Sequence, residues 1–181
     1  PEMVEHVRSL GKKAIAWNPG WPFKSKEVDL LHLWSSKGRI VYGTPAIDSR
    51  YHYLNHYDLF ADIQMLYSSK ILGVTASNTN VMGAILAVWN DRYVESPRTI
   101  MQENAVYPNM LALAERAWLG GGAGYFNAPT AALSPEASPE TREAFVDFER
   151  RLLWHKDRVF AGEPFPYVAQ SHAQWYISPV Y

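Results

Sequence analysis

Apolar and polar positions along the chain follow two alternating periods. Met3, Val7 and Leu10 recur at helical spacing and Gly11 supplies a C-cap, after which residues 13–17 read as a short apolar strand ending in a polar loop. Residues 28–34 contain a second apolar stretch, and residues 39–44 a third that Pro45 closes. Within 58–67, Leu59, Ile63 and Leu66 share one helical face, and 83–89 is another short, nearly continuous apolar run. Ser96 followed by Pro97 marks a helix start, Pro108 permits a second, and 111–118 continue to the glycines at 120–122. Ser138 and Pro139 open a last helix in which Phe145, Phe148, Leu152 and Val159 form a stripe that stops near Gly162.

Apolar strands without polar alternation, joined by helices, predict an α/β fold with a parallel sheet covered on both faces or closed into a barrel. Four strands are too few for a whole barrel. The chain opens inside a helical pattern, and 163–181 are aromatic and Pro-containing without clear period, so we read the sequence as a piece of a longer protein. Residues 1–162 form the main unit, and 163–181 the start of a following segment or a tail. The loop 127–139, rich in Ala, Ser and Pro, reads as a connection inside the unit.

Composition narrows the function. The 17 basic and 18 acidic residues are scattered and leave a net charge of −1, so no basic stripe invites a nucleic acid. No apolar run reaches the roughly 20 residues of a membrane span, and the charged, helix-like start does not read as a signal peptide. With no cysteine there is neither a disulfide nor thiolate chemistry, and compartment stays open. His32, His52, His56, His155 and His172 show no metal-ligand spacing beyond His52 and His56, four apart in an expected loop, so no metal is expected.

The candidate chemistry lies where the strands stop, because parallel barrels carry their sites at the C-terminal strand ends. The first run stops at Trp17 and Asn18, and the second at Trp34 and Ser35. The third leads into Tyr51, Tyr53 and Asn55, and the fourth stops at Trp89, Asn90 and Asp91. An aromatic wall with a few amides and one carboxylate suits a pyranose, whose C–H faces stack on indole while its hydroxyls take directed hydrogen bonds. Ordinary aromatic packing is the alternative for each.

These residues also carry a resemblance. Val88-Trp89-Asn90-Asp91, followed by Ala114-Glu115-Arg116-Ala117-Trp118, resembles the closing strand and helix of glycoside hydrolase family 20 β-N-acetylhexosaminidases. Tyr53-Leu54-Asn55 is similar to that family's Tyr-Leu-Asp, and Trp17 and Trp34 match its tryptophans on the two preceding strands, in the same order over roughly residues 10 to 160. The resemblance implies the C-terminal half of a (β/α)8 TIM barrel with a long C-terminal helix. The implied activity of the intact parent is release of terminal N-acetylhexosamine from glycans by substrate-assisted retaining hydrolysis, without metal or organic cofactor. Tyr53 would be the catalytic hydroxyl that binds the acetamido oxygen. Trp17, Trp34 and Trp89 would form the acetamido box and ring platform, with Asn55 and Asp91 on sugar hydroxyls.

Two departures bear on this. The family's Asp-Glu pair lies on the strand before those seen here, and no Asp-Glu dipeptide occurs in the sequence, which puts the acid upstream. Asn55 and Asp91 stand where the family carries aspartate and glutamate, changing charge and reach. Alternatives are a lacto-N-biosidase-like enzyme and a non-catalytic carbohydrate-binding barrel. Glu115 and Arg116 are expected to form a structural ion pair outside the barrel. The implied partners are the glycan and the missing N-terminal half, or a second copy of the piece. The parent would work in the periplasm, outside the cell or on its surface.

Overall fold

A computed structural model describes residues 2–54, 62–73, 79–89, 94–122 and 132–171. In chain order these hold helix α1 (Glu2–Ser9), strands β1 (Ile15–Asn18), β2 (Leu30–Leu33), β3 (Ala46–Asp48) and β4 (Tyr53–Leu54), then α2 (Ile63–Ser68) and a 3-10 turn at Ile71–Gly73. Strands β5 (Val81–Ala84) and β6 (Ala87–Val88) follow, and helices α3 (Pro97–Glu103), α4 (Val106–Leu119) and α5 (Pro139–Arg158) complete the order. The chain is α/β. Strands β1, β2, β3 and β5 form one parallel sheet in that spatial order, and β4 and β6 form a parallel pair.

The β4–β6 pair continues the β3–β5 ladder. Ile85 N–H donates to the Asp48 carbonyl and Ala87 N–H to that of His52, each at 2.9 Å. Residues 49–52 are thus accommodated against the shorter step 85–86, an insertion that bends one strand as a bulge does. Both the third and fourth strand lines are broken at this level.

Strand alternation sorts the side chains into two faces. Leu31 and Leu33 of β2, with Ala46 and Asp48 of β3, are buried and pack with Val28 and Leu72. Trp17, His32 and Ile47 are cross-strand partners on the other face. That face is more open, with Ile15 59% and Trp17 51% exposed. A second core joins Ile63, Leu66 and Tyr67 of α2 to Ala112 and Leu113 of α4, Phe145, Phe148 and Leu152 of α5, and Phe165 beyond it.

Helix α5 begins as the sequence predicts. The Ser138 hydroxyl accepts from Thr141 N–H at 3.2 Å and Pro139 occupies the first turn, where its missing N–H costs nothing. Glu149, buried within α5, accepts from the Tyr167 hydroxyl at 2.6 Å, from Gln170 N–H at 2.5 Å and from the Ser171 hydroxyl, which ties 167–171 to the helix.

Several expectations are corrected. The third strand is not 39–44: Gly43 takes φ +77°, Thr44 N–H closes a turn on Val41, and the strand starts after Pro45, whose carbonyl accepts from Leu31 N–H at 2.9 Å. Proline here precedes the strand rather than ending it, since a first position needs no ladder donor. The second helix within the described residues starts at Ile63, capped by Asp62 whose side chain accepts from Met65 N–H, and 58–61 lie outside those residues. Helix α4 starts at Val106, so Pro108 sits inside its first turn. Met3, Leu10 and Val159 lie on the helical apolar spacings read from the sequence, yet are 73%, 63% and 58% exposed. Periodicity identifies a face; burial also requires a neighbour to cover it.

Candidate functional site

Because the strands are parallel and β4 and β6 continue the lines of β3 and β5, Trp17, Trp34, Tyr53 and Trp89 lie in that lateral order toward the C-terminal ends of the four strand lines. At about 4.8 Å per strand the row spans roughly 15 Å. The structure shows two ring pairs among them. Trp17 and Trp34 lie with ring centroids 6.2 Å apart and a 59° tilt, and Tyr53 stacks on Trp89 at 6.1 Å and 18°. All three indoles keep a substantial open face: Trp17 is 51%, Trp34 40% and Trp89 47% exposed. A buried indole serves packing alone, whereas a half-open one presents an apolar surface with a polar N–H at its rim. Asn55, Asn90 and Asp91 lie outside the described residues.

Local chemistry explains why these rings stand where they do. The Trp34 indole Nε1–H donates to the Pro19 carbonyl at 3.1 Å, which ties the end of β2 to the loop after β1. Asn18 does not face a ligand: it is buried, and its side-chain oxygen accepts from Arg39 N–H at 2.8 Å. Gly38 lies in the same turn, and a Cβ there would stand 2.8 Å from the Asn18 carbonyl. The 34–39 turn therefore requires glycine at 38 and closes tightly under Trp34.

Tyr53 owes its position to a buried carboxylate. Asp48, 2% exposed, accepts from Arg50 N–H at 3.1 Å, from the Arg50 guanidinium at 2.9 and 3.1 Å, and from Leu72 N–H at 2.8 Å. Leu72 carries φ +57° and is nearly buried, a backbone state that β-carbon sterics disfavour and that this bond helps hold. Burial alone would raise the Asp48 pKa, but the Arg50 hydrogen bonds and charge outweigh it and leave the group below the ordinary carboxylate value. One side chain thereby shapes the 49–52 insertion and the 71–73 turn, and the insertion leads directly into Tyr53.

Two histidines line this insertion. His52 is buried and its Nδ1–H donates to the Asp48 carbonyl at 3.2 Å. His32 packs on Trp17 with centroids 4.5 Å apart, and its Nε2 lies 2.7 Å from the hydroxyl of fully buried Ser49. Burial lowers both imidazole pKa values, with the Asp48 charge pulling each upward. The unfolded chain therefore takes up protons near pH 6.5, the ordinary histidine value, that the folded chain refuses. Stability is expected to fall as pH drops through and below that value. Urea midpoints at about pH 8 and about pH 5.5 check this: the decline should shrink in His52→Gln, and equal midpoints in the native chain would remove both histidines from the balance.

Sequence reasoning missed Asp48, Arg50, Ser49 and His32 as contributors to this end of the sheet. The available signal was Asp48-Ser49-Arg50 directly after a short apolar strand, where an acid and a base two apart can close on each other. The expected Glu115–Arg116 pair is also corrected. Glu115 pairs with Arg151 of α5 at 2.6 Å, and Arg116 donates to the carbonyls of Tyr67 and Gly120, each at 2.5 Å. Adjacent residues on a helix point about 100° apart and cannot face each other. Two clefts sit on this helical side: one of about 430 Å³, lined in part by Tyr67, Arg116 and Thr141, and one of about 270 Å³ between α4 and α5. Neither is lined by the aromatic row. Among the described residues no three His, Cys, Asp or Glu side chains gather where a metal ion could be held, and no helix is long and apolar enough to cross a membrane.

Compared with protein-family models, curated proteins and solved structures, the chain matches none of them.

Proposed function

We propose that the chain is the C-terminal part of a (β/α)8 barrel from a β-N-acetylhexosaminidase resembling glycoside hydrolase family 20, and that its aromatic row binds an N-acetylhexosamine. The observation that carries the reading is the placement of Trp17, Trp34, Tyr53 and Trp89 at the C-terminal ends of four neighbouring parallel strand lines, as two half-open pairs. Parallel order and strand-end location support the barrel; the resemblance of Trp89 to Asp91 and of Tyr53 to Asn55 supports the sugar.

On this reading the acetamido oxygen of the substrate attacks its own anomeric carbon, the glycosidic bond breaks, and an acid upstream of this segment protonates the leaving oxygen. Tyr53 donates its hydroxyl to the acetamido oxygen and holds it in line with the anomeric carbon. Trp17, Trp34 and Trp89 exclude water and hold the acetamido group beneath the ring. Asn55 and Asp91 take hydroxyls away from the bond that breaks.

The test is hydrolysis of a chromogenic N-acetylglucosaminide by this chain and by its full-length parent, side by side. Turnover by the parent alone supports the reading. Sugar binding without turnover by the parent favours a carbohydrate-binding barrel, and neither binding nor turnover refutes the proposal. Trp89→Ala in the parent is expected to raise KM and lower kcat, cutting kcat/KM by about tenfold or more, because both ground state and transition state lean on the ring. A loss confined to thermal stability would make Trp89 a packing residue.

A further inference from the structure

We propose that His32 is a positioning residue of the aromatic row, setting the orientation of the Trp17 indole on which the sugar lies; this rests on the sugar-binding reading above. The Trp17 indole is 51% exposed. A half-exposed ring retains rotamer freedom, which any ligand that stacks on it must remove at a cost in affinity. Among the described residues its nearest ring is the imidazole of His32, the directly opposed cross-strand partner, with centroids 4.5 Å apart and a 49° tilt; Trp34 is farther, at 6.2 Å.

The imidazole is itself anchored from the other side. Its Nε2 lies 2.7 Å from the Ser49 hydroxyl, and Ser49 is fully buried at the end of β3. Ser49 N–H donates to the Leu33 carbonyl at 2.9 Å, and its hydroxyl lies 3.2 Å from the same oxygen. The hydroxyl can give its proton to Nε2, or give it to Leu33 and accept from Nε2–H, so the ring stays tethered in either tautomer. Ser49, His32 and Trp17 thus form a chain of contacts across β3, β2 and β1. It carries the rigidity of a buried residue to an exposed ring.

The test is a double-mutant cycle in the full-length parent, with N-acetylglucosamine titrated against the native protein, Trp17→Ala, His32→Ala and the double variant, followed by NMR shifts. Trp17→Ala and His32→Ala are each expected to weaken binding, the latter by about fivefold, with no further loss in the double variant. His32→Gln, whose flat amide can still bond Ser49 and pack on the indole, is expected to restore most of the loss. If His32→Ala does not fold, Ser49→Ala replaces it, since it removes the tether and leaves the ring; the same direction is expected. Native affinity in His32→Ala beside weakened Trp17→Ala overturns the role of His32 and leaves the sugar reading standing. Additive losses also overturn it, because His32 would then act without Trp17. Equal affinity of the native parent and its Trp17→Ala variant, or no binding by the native parent, refutes the sugar reading and this inference with it.

Discussion

Tyr53→Phe in the full-length parent is expected to lower kcat by about 10² or more while leaving KM within a few-fold of native. Tyr53 is half-buried, stacked on Trp89 at 6.1 Å, and paired through its strand with Ala87. Phenylalanine retains the ring, the stack and the β propensity, so the pocket should keep its shape. What disappears is one hydroxyl, and on the proposed chemistry that hydroxyl meets an oxygen whose charge changes on the way to the transition state. That oxygen loses electron density as it attacks, so the hydroxyl acts by holding it aligned for attack, and loss of alignment appears in kcat rather than in KM. Steady-state kinetics on a chromogenic N-acetylglucosaminide decide it: unchanged kcat removes Tyr53 from the mechanism, and a rise in KM alone makes it a binding residue.

Asp48→Ala is expected to destabilise the chain by about 3–5 kcal/mol, the usual cost of breaking a buried ion pair by deleting one partner. Asp48 is 2% exposed and Arg50 keeps only 15% of its side chain accessible, so the guanidinium is stranded without its carboxylate. The Leu72 N–H, bonded to Asp48 at 2.8 Å, loses its acceptor at a residue already held at φ +57°. Asp48→Asn should cost less, since the amide oxygen still accepts while the charge is lost. Urea denaturation measures both variants. A loss below about 1 kcal/mol for Asp48→Ala would mean that water substitutes for the carboxylate and that the insertion does not depend on it.

The same carboxylate gives the acid limb of stability a definite sign. Its folded pKa is depressed below the ordinary 3.8, so its stabilisation is present above that value and drains away as pH falls through the folded one. The histidine effect sets in earlier on acidification, near pH 6.5. Two declines are therefore expected, and Asp48→Asn should shrink the more acidic one and, by removing the charge that raises both imidazole pKa values, deepen the other.

Arg50 and Asp48 also show why Tyr53 was legible as a candidate while its support was not. Tyr53, Trp17, Trp34 and Trp89 could be read from the chain because each follows a short apolar run, and strand ends in parallel architectures are where side chains become available to ligands. Asp48 is chemically as conspicuous, yet its partner Leu72 is 24 residues away and contributes only a backbone N–H, which no residue type advertises. The His32–Ser49 contact spans 17 residues and two strands, so nothing in its spacing reveals it. Arg116 looked like a partner for the acid beside it in sequence, whereas its guanidinium reaches the carbonyl of Tyr67, 49 residues away.

What the sequence by itself determined is the alternation of short apolar strands with helices, the capped start and length of α5, and the row of aromatic residues closing the strands. Local physics suffices for these: apolar period, a Ser-Pro start and strand-terminal position are properties of neighbouring residues. Only the tertiary structure decided where the third strand begins, because Pro45 could close one segment or open the next and the β2 ladder selects the second through Leu31. Tertiary structure alone also decided that the last two strand lines break around 49–52, that Asp48 is buried beneath the break, and that Trp17 rests on His32. Each of those outcomes depends on which distant residues the folded chain brings within about 3 to 6 Å, and hydrogen bonds and ring contacts act only over that range.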